Sequence, residues 1–491
     1  MANAQVPKKV TQRVSLVDQY HNRSTDTTKD YRLVNAFQET IKLESGDRKV
    51  IQKRPGLTFF SDVTTNAEGR GLIWFYNHFY AIIGNKVYQI TSNGATKVVK
   101  ITLPSSTGQC GIIVANSASI GDYLFIIDGT VGWIINSAGT TTQITDVDFP
   151  TPHVPTPTFI DGYVIVAKGG DVFNCDLDNP LSWSPDQYLP AEMFPDPVVA
   201  LARQANQVVC FGSESIEFFY DNANASGSPL SRNTGVAAQI GCSAPHAVYQ
   251  NEQFCIFVGQ SSSGGRAIWK LDGYTPKKIS TEYIDRIIDS EVYMDDVSGF
   301  GFRSMGHLFY LINLNTIGRT IVYDVDEHLW HEWSTNTGGS INLSQYNNAH
   351  ISHTKFTYSH ATDTGVGTIF LLSDTTGDIY YLNPASYLDG TSPIVVEART
   401  NLLDFDSYNR KFPSNLKIVG DRYSSSNNIG VSWSDDDYET WSNNHVVALT
   451  DDFPYMGRLG AFRRRAWRVT HVDNNTLRME ALELLLDLGI S

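Results

Sequence analysis

The feature that most constrains this chain is a recurring series of short apolar strands cut by hairpin turns, with almost nothing that would build a helix. Residues 72–76 lead into 79–83, Gly84-Asn85 turns into 86–90, and Asn93-Gly94 precedes 97–100. That order reads as a four-stranded antiparallel meander. The pattern restarts near Gly111, Thr156, Val198, His246 and Phe300, and a weaker last unit covers 368–374 and 378–383. Units of about 40 to 55 residues are the size of propeller blades. Alternating side chains within each strand provide the two faces that blade-on-blade packing requires. A parallel sheet would need a helix between successive strands, and those helices are missing. The expected fold is all-β: a β-propeller of six or seven blades.

One short helix is expected over 280–289. Ser280 and Thr281 supply an N-cap, Glu282 sits in the first turn, and Ile284, Ile287 and Ile288 share a face. Three regions follow: an N-terminal arm and docking segment at 1–60, the propeller at 61–392, and a small β-rich, sandwich-like domain at 393–491. The last region reads as six strands, and its final run, 481–488, is taken as strand rather than helix.

Composition agrees with a packed core: 41% apolar, 12% aromatic and 18% charged residues among 491. Disordered chains show the opposite profile. No apolar run reaches the roughly 18 residues of a membrane span. The first thirty residues lack the apolar stretch of a secretory signal, so folding in a cytoplasm is expected. The five cysteines, Cys110, Cys175, Cys210, Cys242 and Cys255, form no CxxC pair and read as buried thiols. A formal charge of −15 argues against a protein that grips duplex DNA through phosphates.

The candidate chemistry is sparse. Ser434, Asp436, Thr440 and Trp441 resemble the Asp-box of sialidase-type propellers, with Tyr438 where that motif has glycine. Such boxes are structural hairpins in which the Asp and Ser satisfy turn amides. His328 and His331 have H-x-x-H spacing, which does not place two imidazoles on one face of a strand. Trp330 and Trp333 read as blade-packing aromatics, and His350, His353 and His360 as loop residues. Asp295-Asp296, the Asp435–Asp437 run and Asp451-Asp452 read as solvated turns; glycoside hydrolysis would need two carboxylates about 5 to 10 Å apart in a cleft. No nucleophile elbow, phosphate loop or dinucleotide fingerprint follows a strand. No catalytic, cofactor or metal residue is therefore assigned. The basic cluster Arg463, Arg464, Arg465, Trp467 and Arg468 leaves three readings open. It is a charged face paired with nearby acids, a partner interface through Arg463, Arg465, Trp467 and Arg468, or a DNA contact.

With these pieces placed, the chain resembles the packaged-DNA stabilisation proteins, the tail hub or nozzle proteins of short-tailed phages (podoviruses). Asp30-Tyr31-Arg32-Leu33-Val34-Asn35 and Arg54-Pro55-Gly56-Leu57 resemble the family's opening. Residues 208–219 resemble its central strand pair. The helix at 284–288, the Tyr323-Asp324 strand ending on Trp330 or Trp333, and the arginine-rich final strands follow in order. The departures are a longer N-terminal arm and a polar insertion over 347–364. The resemblance implies a homohexameric tube in the virion tail, assembled in the host bacterial cytoplasm below a portal and its adaptor ring. Such a tube carries tailspikes or fibres, retains packaged DNA and lets it pass at ejection. Six copies would carry about −90 charges, so phosphate would slide without sticking. The alternative is a carbohydrate-binding or glycan-degrading propeller, with a generic scaffold propeller behind it.

Overall fold

The computed structural model describes residues 9–489 except 19, 24–28, 45, 64–65, 192, 262–263, 336–342 and 344–353. Four blades follow the expected meander. Blade 1 runs from Gly69–Phe75 to Lys97–Thr102, blade 2 from Gly111–Ser117 to Thr141–Gln143, blade 3 from Thr158–Ile160 to Asn179–Pro190, and blade 4 from Val198–Gln204 to Leu230–Ala238. Blade 5 runs from Gly241–Cys242 to Thr275–Lys278 and holds an extra short strand, Tyr249–Gln250. Blade 6 spans Ser298–Ser304 to Leu329–Trp333.

The period-2 argument is visible strand by strand. In Gly121–Ile127, Tyr123, Phe125 and Ile127 pack toward blade 3. Leu124 and Ile126, one residue out of phase, pack toward blade 1. Each strand of this kind is buried on both sides, which makes the ring a series of shared cores rather than one central core.

The weak last unit becomes a full seventh blade, for a reason no local signal carries. Its inner strands are Tyr358–Asp363, Ile369–Ser373 and Ile379–Asn383, and its fourth is Gly56–Ser61 from the N-terminal region. Tyr381 pairs with Thr58, Leu382 with Leu57 and Asn383 with Gly56, antiparallel. Leu372, Phe370 and Ile379 then pack on Leu72, Phe79 and Ile83 of blade 1 and close the ring. His360, expected in a loop, lies in the strand Tyr358–Asp363 because that inner strand extends through the polar run. His350, His353 and most of the 347–364 insertion lie outside the described residues.

The N-terminal region does more than precede the first blade. Arg32–Val34 inserts between Leu329–Trp333 of blade 6, in parallel, and Val396–Arg399, antiparallel. Blade 6 thereby continues into one face of the C-terminal sandwich as a nine-stranded sheet that ends on Ala466–His471, Asn428–Ser434 and His445–Ala448. The other face is built from Ala36–Ile41, Arg48–Lys53, Arg478–Leu488, Lys411–Gly420 and Tyr455–Met456. Lys9–Ser15 also pairs with Arg478–Leu488, from Lys9 opposite Asp487 to Ser15 opposite Ala481. The strands from 9 to 53 thus share sheets with strands beyond 393, whereas the sequence division at residue 60 set them apart. Residues 481–488 are strand, as read from sequence, with Leu482, Leu484 and Leu486 inward.

The helix spans Glu282–Asp289, capped by Thr281, whose side chain accepts from the Ile284 N–H at 3.5 Å. Ile284, Ile287 and Ile288 are buried in the core shared by blades 5 and 6 and the sandwich. All five cysteines are buried free thiols, each pushed upward in pKa by burial.

Candidate functional site

The densest polar construction joins propeller, sandwich and N-terminal segment. Asn35 leaves its strand with φ of +55°, a left-handed geometry that asparagine tolerates. Its N–H donates to the Glu332 carbonyl at 2.9 Å. Its side-chain amide donates to Ser334 Oγ and to the Val395 carbonyl, each at 2.8 Å. Its Oδ1 accepts from Arg54 Nε and the Ser334 N–H, each at 2.9 Å. Arg54 is fully buried and grips Asp389 with two nitrogens, at 2.9 and 2.5 Å. Its guanidinium lies 5.5 Å from the Trp333 ring and 5.1 Å from Phe356. Next to it, Arg32 and Arg319 bracket the buried Glu332 at 2.9 and 2.7 Å, and Tyr20 donates to the same carboxylate. The two opening motifs, 30–35 and 54–57, are therefore the two halves of one buried clamp. Gly56 is required by close approach: a Cβ there would meet the Leu388 carbonyl and lie 2.7 Å from the Ser386 carbonyl.

The Asp-box-like residues form a turn rather than a cleft. Ser434 Oγ donates to Asp436 Oδ1 at 2.8 Å, and the Tyr438 N–H donates to Ser434 Oγ at 3.0 Å. Asp436 also accepts from the Thr440 N–H at 2.9 Å and from its hydroxyl. Burial pushes the Asp436 carboxyl up, but the Thr440 and Ser434 hydrogen bonds outweigh it and hold it below the usual range. Trp441 is buried beneath. Asp437 reaches Arg23 at 2.8 Å and Lys29 at 3.1 Å, fastening the N-terminal segment onto this hairpin.

The proposed partner face at Arg463, Arg465, Trp467 and Arg468 needs correction. Only Arg463 is exposed; Arg465, Trp467 and Arg468 are buried inside the sandwich. Arg465 donates to both oxygens of Asp435, at 2.6 and 2.7 Å, and lies 4.2 Å from the Phe462 ring. Arg468 lies 4.4 Å from the Trp441 ring and donates to Ser432 Oγ. The strand starts only at Ala466, so Arg463 and Arg465 do not share a strand face. Pairing with a nearby acid accounts for Arg465.

The histidines do not converge. His328 sits in a turn with φ of +59°, and its Nδ1 meets the Tyr323 hydroxyl at 3.2 Å. His331 is buried in blade 6 and held down to about 4 by desolvation. Asp295 and Asp296 rim an open hollow of about 420 Å³ with Glu68, Asp374 and Lys355. Lys355 is paired with Asp374 at 2.5 Å. Among the described residues no group of three or more His, Cys, Asp and Glu is arranged to hold a metal ion, and no helix is long and apolar enough to cross a membrane.

A family model described as bacteriophage P22 Gp10, beta-propeller, a phage stabilisation family, matches residues 19–376. The chain belongs to that family. It is a phage structural propeller of the packaged-DNA stabilisation type. The match spans both halves of the buried clamp at Asn35 and Arg54 and every blade strand through Ile369–Ser373. No curated protein matches the sequence. Among solved structures, a streptogramin B lyase is 10% identical with a TM-score of 0.40, over 67% of this chain and 98% of that one. U3-55K is 10% identical with a TM-score of 0.41, over 67% and 99%. The WD40 domain of Toxoplasma gondii coronin is 10% identical with a TM-score of 0.37, over 72% and 87%.

Proposed function

We propose that this chain is a tail nozzle (hub) subunit of a short-tailed phage. It forms a homohexameric ring below an adaptor ring, carries tailspikes or fibres, retains packaged DNA and lets it pass at ejection. It acts in the virion tail, assembles in the host bacterial cytoplasm, and has no catalytic role or cofactor. The observation that carries this reading is the family match across residues 19–376. Two features support it. A charge of −15 per copy suits a lumen that repels phosphate. The propeller and sandwich share one continuous sheet through blade 6, which suits a part loaded along its length. We further propose that the working units are the propeller, closed by the strand at 56–61, and a sandwich assembled from both ends of the chain.

The test is negative-stain imaging and light scattering of the purified chain, alone and with portal and adaptor. Rings on the adaptor are expected. A chain that stays monomeric with both partners present overturns the reading. Turnover of a bacterial surface polysaccharide by the purified chain would favour the glycan-degrading alternative.

A further inference from the structure

The strand Arg48–Lys53 belongs to the sandwich, and three residues later Gly56–Ser61 closes blade 7. The joint between them holds a buried basic group on each side. Arg54 is neutralised by Asp389. Lys53 has no such partner: it is fully buried, and its Nζ lies 3.3 Å from His471 Nδ1 and 2.8 Å from the Asp473 carbonyl.

The tautomer of His471 follows from its other side. The Asn427 amide nitrogen donates to the Thr476 carbonyl at 3.0 Å, so the amide oxygen faces His471 Nε2, at 2.7 Å. Nε2 therefore carries the hydrogen and Nδ1 offers its lone pair to Lys53. His471 and Asn427 are also fully buried. The contact closes only while the imidazole is neutral. A second proton on His471 would aim an N–H at an ammonium, leaving two donors, two positive charges and no acceptor between them.

Among the described residues no carboxylate hydrogen-bonds to either partner, although the Asp389 and Asp473 charges favour the Lys53 ammonium. The charged and titratable groups around the pair are Arg54 and Asp389, which neutralise each other, the face of Tyr387, and Asp473. The Asp473 carboxylate already accepts from the Asn428 N–H at 2.8 Å and from its side-chain amide at 3.2 Å.

We propose that the Lys53–His471 contact is an acid-released catch: protonating His471 frees the Arg48–Lys53 strand and uncouples the sandwich from the strand that closes the propeller.

This goes beyond the nozzle reading and does not depend on it. Burial drives Lys53 down to about 7 and holds His471 well below its ordinary value. The closed joint thus binds fewer protons than the open one. Below the ordinary histidine value of about 6.5, the opening equilibrium grows by up to about tenfold per pH unit.

Hydrogen exchange on the full chain tests this, with rates corrected for intrinsic pH dependence. From pH 6.5 to 5.5, protection should fall about fivefold in peptides covering 48–61, 379–383 and 466–471. The blade 2 and blade 3 strands at 121–127 and 163–168 should keep theirs. His471→Gln, which accepts and donates without titrating, should abolish the step. Asn427→Asp, which places a carboxylate on Nε2–H and raises the closed-state value of His471, should shrink the step. Acid loss spread evenly over all blades, or a step unchanged in whichever variant folds, overturns the catch.

Discussion

Replacing Arg54 by alanine is the sharpest test of the buried clamp. The substitution strands Asp389, whose side chain is 3% exposed, as an uncompensated buried charge. Removing one partner of such a pair costs about 3–5 kcal/mol. It also removes donors to Asn35 Oδ1 and to the Ser334 and Pro55 carbonyls. Asn35 Oδ1 keeps the Ser334 N–H, so about 1 kcal/mol more is a fair addition. The total is about 4–6 kcal/mol. The double variant Arg54→Met with Asp389→Leu removes both charges and should recover most of that loss. The assay is urea denaturation at pH 7.5 followed by tryptophan fluorescence, which Trp333 reports directly at 5.5 Å from the guanidinium. Hydrogen exchange of residues 56–61 localises the effect. A single variant costing under about 1 kcal/mol, or a double variant as unstable as the single one, would refute the reasoning.

Gly56→Ala drives a methyl group into the Ser386 and Leu388 carbonyls and should destabilise the chain by about 1–3 kcal/mol, read from the same urea midpoint. Asp436→Ala removes the acceptor of Ser434 and Thr440; a cost of about 1 kcal/mol is expected, with faster proteolysis confined to residues 434–441. His331 is neutral in the fold, held near 4, and takes up a proton on unfolding below about 6.5, so it contributes stability that is lost as pH falls from 6.5 to 4. That contribution is worth about 3 kcal/mol by pH 4, and His331→Gln should flatten the acid limb of a stability–pH curve. His307 runs the other way: burial pulls it down, but the Asp324 hydrogen bond outweighs this, so its contribution is present below 6.5 and lost as pH rises.

What was legible in the sequence was local. The Gly84-Asn85 turn, the alternation in 121–127 and the Thr281 cap each announce their element within ten residues, because backbone geometry and period-2 burial act at that range. The closure of blade 7 was not legible, since Thr58 and Tyr381 are far apart in the chain and neither advertises its partner. The same holds for Arg32–Val34, a three-residue strand whose place is set by two distant neighbours. The basic cluster misled for another reason. Arginine reads as surface because isolated burial is costly, yet Arg465 is kept inside by Asp435 and a bed of aromatic rings. The motif at 54–57 could have pointed to the clamp: an arginine beside a proline and a glycine, just before an apolar strand, describes a crowded joint.

The pairing of Lys9–Ser15 with Arg478–Leu488 makes the ribosome part of the folding problem. The first strand and the closing strand at 56–61 emerge with nothing to hold, and the hairpin at 36–53 emerges paired only with itself. Each waits for sequence hundreds of residues away. A chain that stalls before Arg478 leaves the opening strand with an open edge and the sandwich without its central strand. Such a product offers unpaired backbone to a protease or a chaperone, whereas the full-length chain does not.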